Sequence, residues 1–149
     1  MGDEARGSAA FFAERDLRWV EDDVLMWCVP RQGEVAEYKL VMFPAMEAVL
    51  DAHRDGDAPR RPGLIIDLRK AGPPDAAARA AIRSGLRRLR TRVSGIALLL
   101  PDSPLAVLLG GIAQYLMGDG AGSLSRHRDE QSAIEALRAR ATREGDTPT

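Results

Sequence analysis

Two apolar runs end in side chains able to do chemistry. Leu64-Ile65-Ile66 leads into Asp67, with Arg69 two positions on, and Ala97-Leu98-Leu99-Leu100 leads into Pro101, Asp102 and Ser103. In open α/β sheets ligands bind outside the carboxyl ends of the strands. A carboxylate, a guanidinium and a hydroxyl gathered there would bind a polar ligand or a partner's loop, so Asp67, Arg69, Asp102 and Ser103 are the candidate ligand-binding residues. Asp67 with Asp102 is also the one titratable pair placed for general acid–base work. The competing reading is structural: Asp67 caps backbone donors of the loop after it, or pairs with Arg69 or Arg79.

Signatures of conventional catalysis are missing. His53 and His127 have no metal-ligand spacing to each other or to Cys28. There is no Gly-x-Ser-x-Gly elbow and no phosphate-cradling Gly-x-x-x-x-Gly-Lys loop, and Gly118-Asp119-Gly120 follows a helical pattern instead of a strand. Cys28 falls within a strand pattern, where burial keeps a thiol protonated and inert. The sequence reads as a non-enzyme that needs no cofactor and no metal.

The richer signal is charge. From Arg69 to Arg92 eight basic residues stand against one acid, Asp75, a local charge of +7 in a chain of net −1, so the remainder carries −8. Arg79, Arg83, Arg87 and Arg90 step by four, four and three, which places them in one stripe of a helix. Ala78, Ile82, Leu86, Leu89 and Val93 form the opposing apolar stripe. With Asp75 in the preceding loop, this arginine stripe is the candidate partner-binding surface. It suits an acidic protein face, an anionic lipid headgroup or RNA; the plain alternative is a solvated face with no partner. Nucleic acid is disfavoured, because no aromatic residues interleave with the arginines and the rest of the chain is acidic.

These residues need a frame. Apolar residues at 45% and charged residues at 29% are ordinary for a globular chain of this length with one core. Leu17–Glu21 and Val24–Pro30 flank Asp22-Asp23 as a hairpin. Leu25, Trp27 and Val29 alternate with Val24, Met26 and Cys28, apolar on both sides, so both faces of that strand are covered. Residues 35–53 have helical periodicity interrupted by Pro44, which gives either a kink or a strand-like lead-in to a helix starting near Pro44. A strand at 64–69, the arginine helix, a strand at 95–100, an apolar helix after Ser103-Pro104, a weak edge strand at 123–127 and a last helix from Asp129 complete the order ββαβαβαβα. The fold class is α/β, a mixed, mostly parallel sheet of about five strands opened by an N-terminal hairpin, with helices packed against it. Residues 1–16 read as a flexible arm, 17–142 as the domain and 143–149 as a disordered tail. The Phe11–Phe12 pair either packs back on the body or meets a partner, which leaves homodimerisation open. Gly110-Gly111 interrupts the apolar helix, where each glycine costs about 1 kcal/mol relative to alanine. Close approach to the sheet, or room for an apolar ligand, would account for them. Trp19, Trp27 and Tyr115 read as core or edge packing.

The Asp-Leu ending of the strand at Asp67-Leu68, the run Gly95–Pro101 and the segment Asp129-Glu130-Gln131-Ser132-Ala133-Ile134-Glu135-Ala136-Leu137 resemble the STAS family, the fold of bacterial anti-sigma-factor antagonists, over about residues 17–141. The branch of that family which this chain resembles is also similar to the CRAL-TRIO lipid-transfer fold. The resemblance implies a regulatory module whose partner surface includes the helix after the Asp-Leu strand. Phosphoregulated members carry a serine or threonine at the start of that helix. Here no hydroxyl occurs from Arg69 to Ile82, and Ser84 lies well inside the helix, so a phospho-switch is not expected at the usual place. The alternative is a carrier or sensor for a small molecule or lipid, with its pocket near the strand carboxyl ends. A single cysteine excludes an internal disulfide, no signal peptide opens the chain, and the apolar stretch 104–117 is too short to span a bilayer, so a cytoplasmic location without membrane insertion is expected.

Overall fold

In the computed structural model, which describes residues 12, 15–31, 34–54, 61–117 and 124–146, Asp22 and Asp23 turn the chain between strand β1 (Leu17–Glu21) and strand β2 (Val24–Cys28). The two pair antiparallel, Leu17 opposite Trp27, with an irregularity between Trp19 and Glu21. Strands β3 (Gly63–Asp67), β4 (Gly95–Leu99) and β5 (Leu124–His127) then add in parallel, each beside the last, so the spatial order is the sequence order. Every residue of β3 and β4 is buried, as parallel strands covered on both faces require. From β1 onward the described elements follow the expected order ββαβαβαβα.

Alternation along the strands makes two cores. Leu25, Trp27, Leu64, Ile66, Ile96 and Leu98 face three crossover helices. Val24, Met26, Ile65, Ala97 and Leu99 face Ala133, Ile134 and Leu137 of the last helix. Right-handed crossovers that always step in one direction put their helices on one face of a sheet. The last helix makes no crossover and covers the other face.

The first crossover, α1, combines a short α-turn (Val35–Glu37), a π-helical stretch (Tyr38–Met42) and an α-helix (Phe43–Arg54). It is helical from Val35, so no strand-like lead-in precedes Pro44. Pro44 has no N–H, and its ring crowds the carbonyl one turn back, at Leu40. The ladder widens there, with Phe43 N–H donating to the Tyr38 carbonyl. Asp75 caps α2 (Ala76–Arg90) by accepting from Ala78 N–H at 2.8 Å. Helix α3 spans Leu105–Met117. Asp129 caps α4 (Glu130–Asp146) through Ser132 N–H at 2.8 Å.

Phe12 packs into the main core, and Asp16 N–H donates to its carbonyl; Phe11 lies outside the described residues. Helix α4 continues past Arg143 to Asp146, inside the stretch expected to be tail, while 147–149 lie outside the described residues. No helix among the described residues is long and apolar enough to cross a membrane.

Helix α2 crosses α1 at Gly85, where a Cβ would sit 2.3 Å from Phe43 Cγ. Phe43 is wholly buried against Trp27, so the ring cannot yield. Gly85→Ala is expected to lower stability by about 1–3 kcal/mol despite the better helix propensity of alanine. Urea unfolding would check this, and a variant as stable as the wild type would refute the close crossing.

Candidate functional site

The structure brings Asp67 and Arg69 together and accounts for both carboxylate oxygens. Arg69 N–H donates to Asp67 Oδ1 at 3.0 Å, Arg69 Nε to the same oxygen at 2.9 Å, and Arg69 Nη2 to Oδ2 at 2.9 Å. Cys28 Sγ, in register beside Asp67, lies 3.7 Å from Oδ2. Burial pushes the Asp67 carboxyl up, but the Arg69 donors and charge outweigh it and hold the group below its ordinary value. Burial, joined by the Asp67 charge, pushes the Cys28 thiol up and keeps it protonated. Arg69 also reaches Glu130 at 3.5 Å, and Glu130 pairs with Arg18 at 3.0 Å. One chain of charges thus ties β1, the loop after β3 and the start of α4.

Next to this network the loops after β2 and β3 are stitched together by Gly72 N–H donating to the Arg31 carbonyl. A Cβ on Gly72 would meet that oxygen at 2.6 Å. The two loops and β1 enclose an open cleft of about 1170 Å³ whose lining includes Arg18, Cys28, Arg31, Asp67, Arg69 and Lys70. Asp102 and Ser103 are not part of that lining. Asp102 is exposed and lies 3.7 Å from Arg128 beyond the end of β5. Ser103 serves through its backbone, accepting from Ala106 N–H at 3.0 Å in the first turn of α3. Of the four residues expected to share one ligand, Asp67 and Arg69 line this cleft and Asp102 and Ser103 do not.

His127, weighed from the sequence only as a metal ligand, has a structural tie instead. Its Nε2 lies 2.8 Å from Ser125 Oγ and its Nδ1 2.7 Å from Ser132 Oγ, so it ties β5 to α4. Burial holds the imidazole below its ordinary value, with Asp129 partly opposing. A Ser-x-His alternation on one strand face, followed by serine in the first turn of the next helix, was the available signal. Among the described residues no cluster of three or more His, Cys, Asp or Glu could hold a metal ion.

The arginines of α2 and of the turn after it separate into groups with different duties. Arg88 pairs with Glu47 at 2.9 Å, and Arg92 with Asp51 at 3.0 Å and Glu47 at 3.6 Å, so both dock α2 on α1. Arg90 donates to the carbonyl of Met117 at 3.5 Å, a cation at the C-terminus of α3. Arg79, Arg83 and Arg87 are exposed and make no ion pair among the described residues. They form one wall of a groove of about 1080 Å³ between α2 and α3. The other wall is apolar: Val107, Leu108 and Tyr115 are 78%, 50% and 72% exposed. Tyr115 is therefore a surface residue and not packing. Trp19 is 38% exposed and stacks on His53, while Trp27 is core.

The paired glycines of α3 also differ. A Cβ on Gly110 would sit 3.2 Å from the Arg126 guanidinium, which donates to the Gly110 carbonyl and to the Gln114 side chain. A Cβ on Gly111 would meet nothing within 4 Å among the described residues. Gly111 lines the groove.

No family model matches this sequence, and no curated protein matches it.

Arg69→Met would strand a buried carboxylate and is expected to cost about 1–3 kcal/mol near neutral pH. The folded Asp67 pKa lies below its unfolded value of about 3.9, so the stabilisation is complete above that value and is lost as pH falls through the folded one. Urea unfolding of wild type and variant should show a gap near neutrality that closes in acid. A gap independent of pH would assign the loss to something other than the Asp67 charge.

Proposed function

We propose that this chain is a non-catalytic STAS-like regulatory module that acts in the cytoplasm by binding an acidic protein through α2 and the groove α2 forms with α3. The observation that carries this reading is the juxtaposition of three arginines without ion-pair partners among the described residues and an exposed apolar wall on α3. Exposed contiguous apolar surface beside charge is the ordinary mark of an interaction site. The resemblance to STAS proteins supports the same place, because α2 is the helix that follows the Asp-Leu strand. Asp75 belongs to this region as the cap that fixes the start of α2. The usual phospho-switch is not part of the proposal, since the loop and first turns before Ser84 have no hydroxyl.

A carrier or sensor is the second reading, and the strand-edge cleft is what favours it. Arg18, Arg31, Arg69 and Lys70 would suit a small polar anion there. A lipid chain has less support. The apolar space enclosed between the sheet, α2 and α3 is about 60 Å³, where ligand pockets run to about 300 Å³ or more.

Native mass spectrometry of the protein purified gently from its own host tests the first reading against the second. One protein should be retained at fixed stoichiometry. It should be lost from Arg83→Glu/Arg87→Glu, a surface change that shifts stability by less than about 0.5 kcal/mol while weakening the contact by about 2 kcal/mol or more. Retention of the protein by the equally stable double variant would sink the proposal, and a retained small mass in its place would favour the carrier.

A further inference from the structure

We infer that the occupant of the α2–α3 groove is an acidic amphipathic helix of the partner, laid across α3 at Gly111; this rests on the protein-binding reading above. Glycine inside a helix is unfavourable unless something must come close. Gly85 makes room for Phe43, and Gly110 for Arg126. Gly111 makes room for nothing among the described residues, and it lies in the groove beside Leu108 and Tyr115. A bare backbone in a two-walled groove lets a second helix approach closely, at the short end of the usual 8–10 Å interaxial range.

The two walls specify the faces of that helix. Val107, Leu108 and Tyr115 ask for an apolar stripe. Arg79, Arg83 and Arg87 repeat every four residues over about 12 Å, so acids at three- and four-residue steps along one flank would meet them. Helix α3 has 13 residues and is about 20 Å long, enough for a partner helix of three to four turns. A second copy presenting this same face would not supply the charge. Helix α3 contains no acid, and Asp75, the acid of the α2 segment, is engaged as its cap. An anionic bilayer would meet the arginines but, being flat, would not reach the groove lining at Gly111.

The test uses the full chain and a fluorescent helical peptide of about 14 residues, with leucines on one stripe and glutamates along one flank. The comparators are the same peptide with lysines for glutamates, and vesicles of phosphatidylcholine with phosphatidylglycerol. Anisotropy should show binding of the glutamate peptide only. Binding should fall at least about tenfold for Gly111→Leu and for Arg83→Glu/Arg87→Glu. The melting temperature of Gly111→Leu should equal or exceed that of the wild type, because its side chain enters open space. Undiminished peptide binding by Gly111→Leu, equal binding of the lysine peptide, or binding of vesicles without the peptide would each overturn the inference. If the co-purifying partner depends on Arg83 and Arg87 but tolerates Gly111→Leu, the helix in the groove falls and the protein-binding reading stands. If the partner is indifferent to all these changes, both fall.

Discussion

A sheet that adds each parallel strand on the same side of the last must, with right-handed crossovers, lay its connecting helices side by side on one face. Everything distinctive about this molecule's surface follows from that constraint. Helix α2 lies between α1 and α3, and its basic residues meet a different neighbour on each side. Toward α1 they find Glu47 and Asp51 and are neutralised. Toward α3 they find a helix with no charged residue, and Arg79, Arg83 and Arg87 stay without ion-pair partners among the described residues. The groove is thus a product of winding direction together with the composition of one helix.

The strand edge and the groove are opposites in their internal accounting. At the edge, Asp67 accepts three hydrogen bonds from Arg69, which also reaches Glu130, so the charges are committed to joining loop, hairpin and α4. A buried carboxylate so arranged is held ionised and has little capacity left for proton transfer near neutrality. In the groove the cations and the apolar side chains of α3 have no such commitments. Surface that a fold leaves unsatisfied in both charge and hydrophobicity is where an external partner gains most.

Much of the frame was legible in the sequence because it rests on local rules. Period-two alternation in 24–29 gave both faces of β2, the two aspartates gave the hairpin, and the four-residue spacing gave the arginine stripe of α2. The structure around Pro44 was only half legible: a missing donor shows that the ladder must change, but not that it changes to a π-turn before the proline. The strand ends were legible, but not that the cleft beside Asp67 and Arg69 would be lined without Asp102 and Ser103. Nor could the sequence divide the arginines. Arg88 and Arg92 look like Arg83 and Arg87 until Glu47 and Asp51, about 40 residues away in sequence, are brought beside them. The same long-range packing separates Gly110 from Gly111.

The central claim is that binding occurs on the face between α2 and α3. Hydrogen–deuterium exchange on the full chain, alone and with its co-purified protein partner, addresses it most directly. The account predicts added protection in 75–90 and 105–117, with the strand-edge loop at 67–72 unchanged. Protection gathered instead on the loops after β2 and β3, with α3 unaltered, would contradict it.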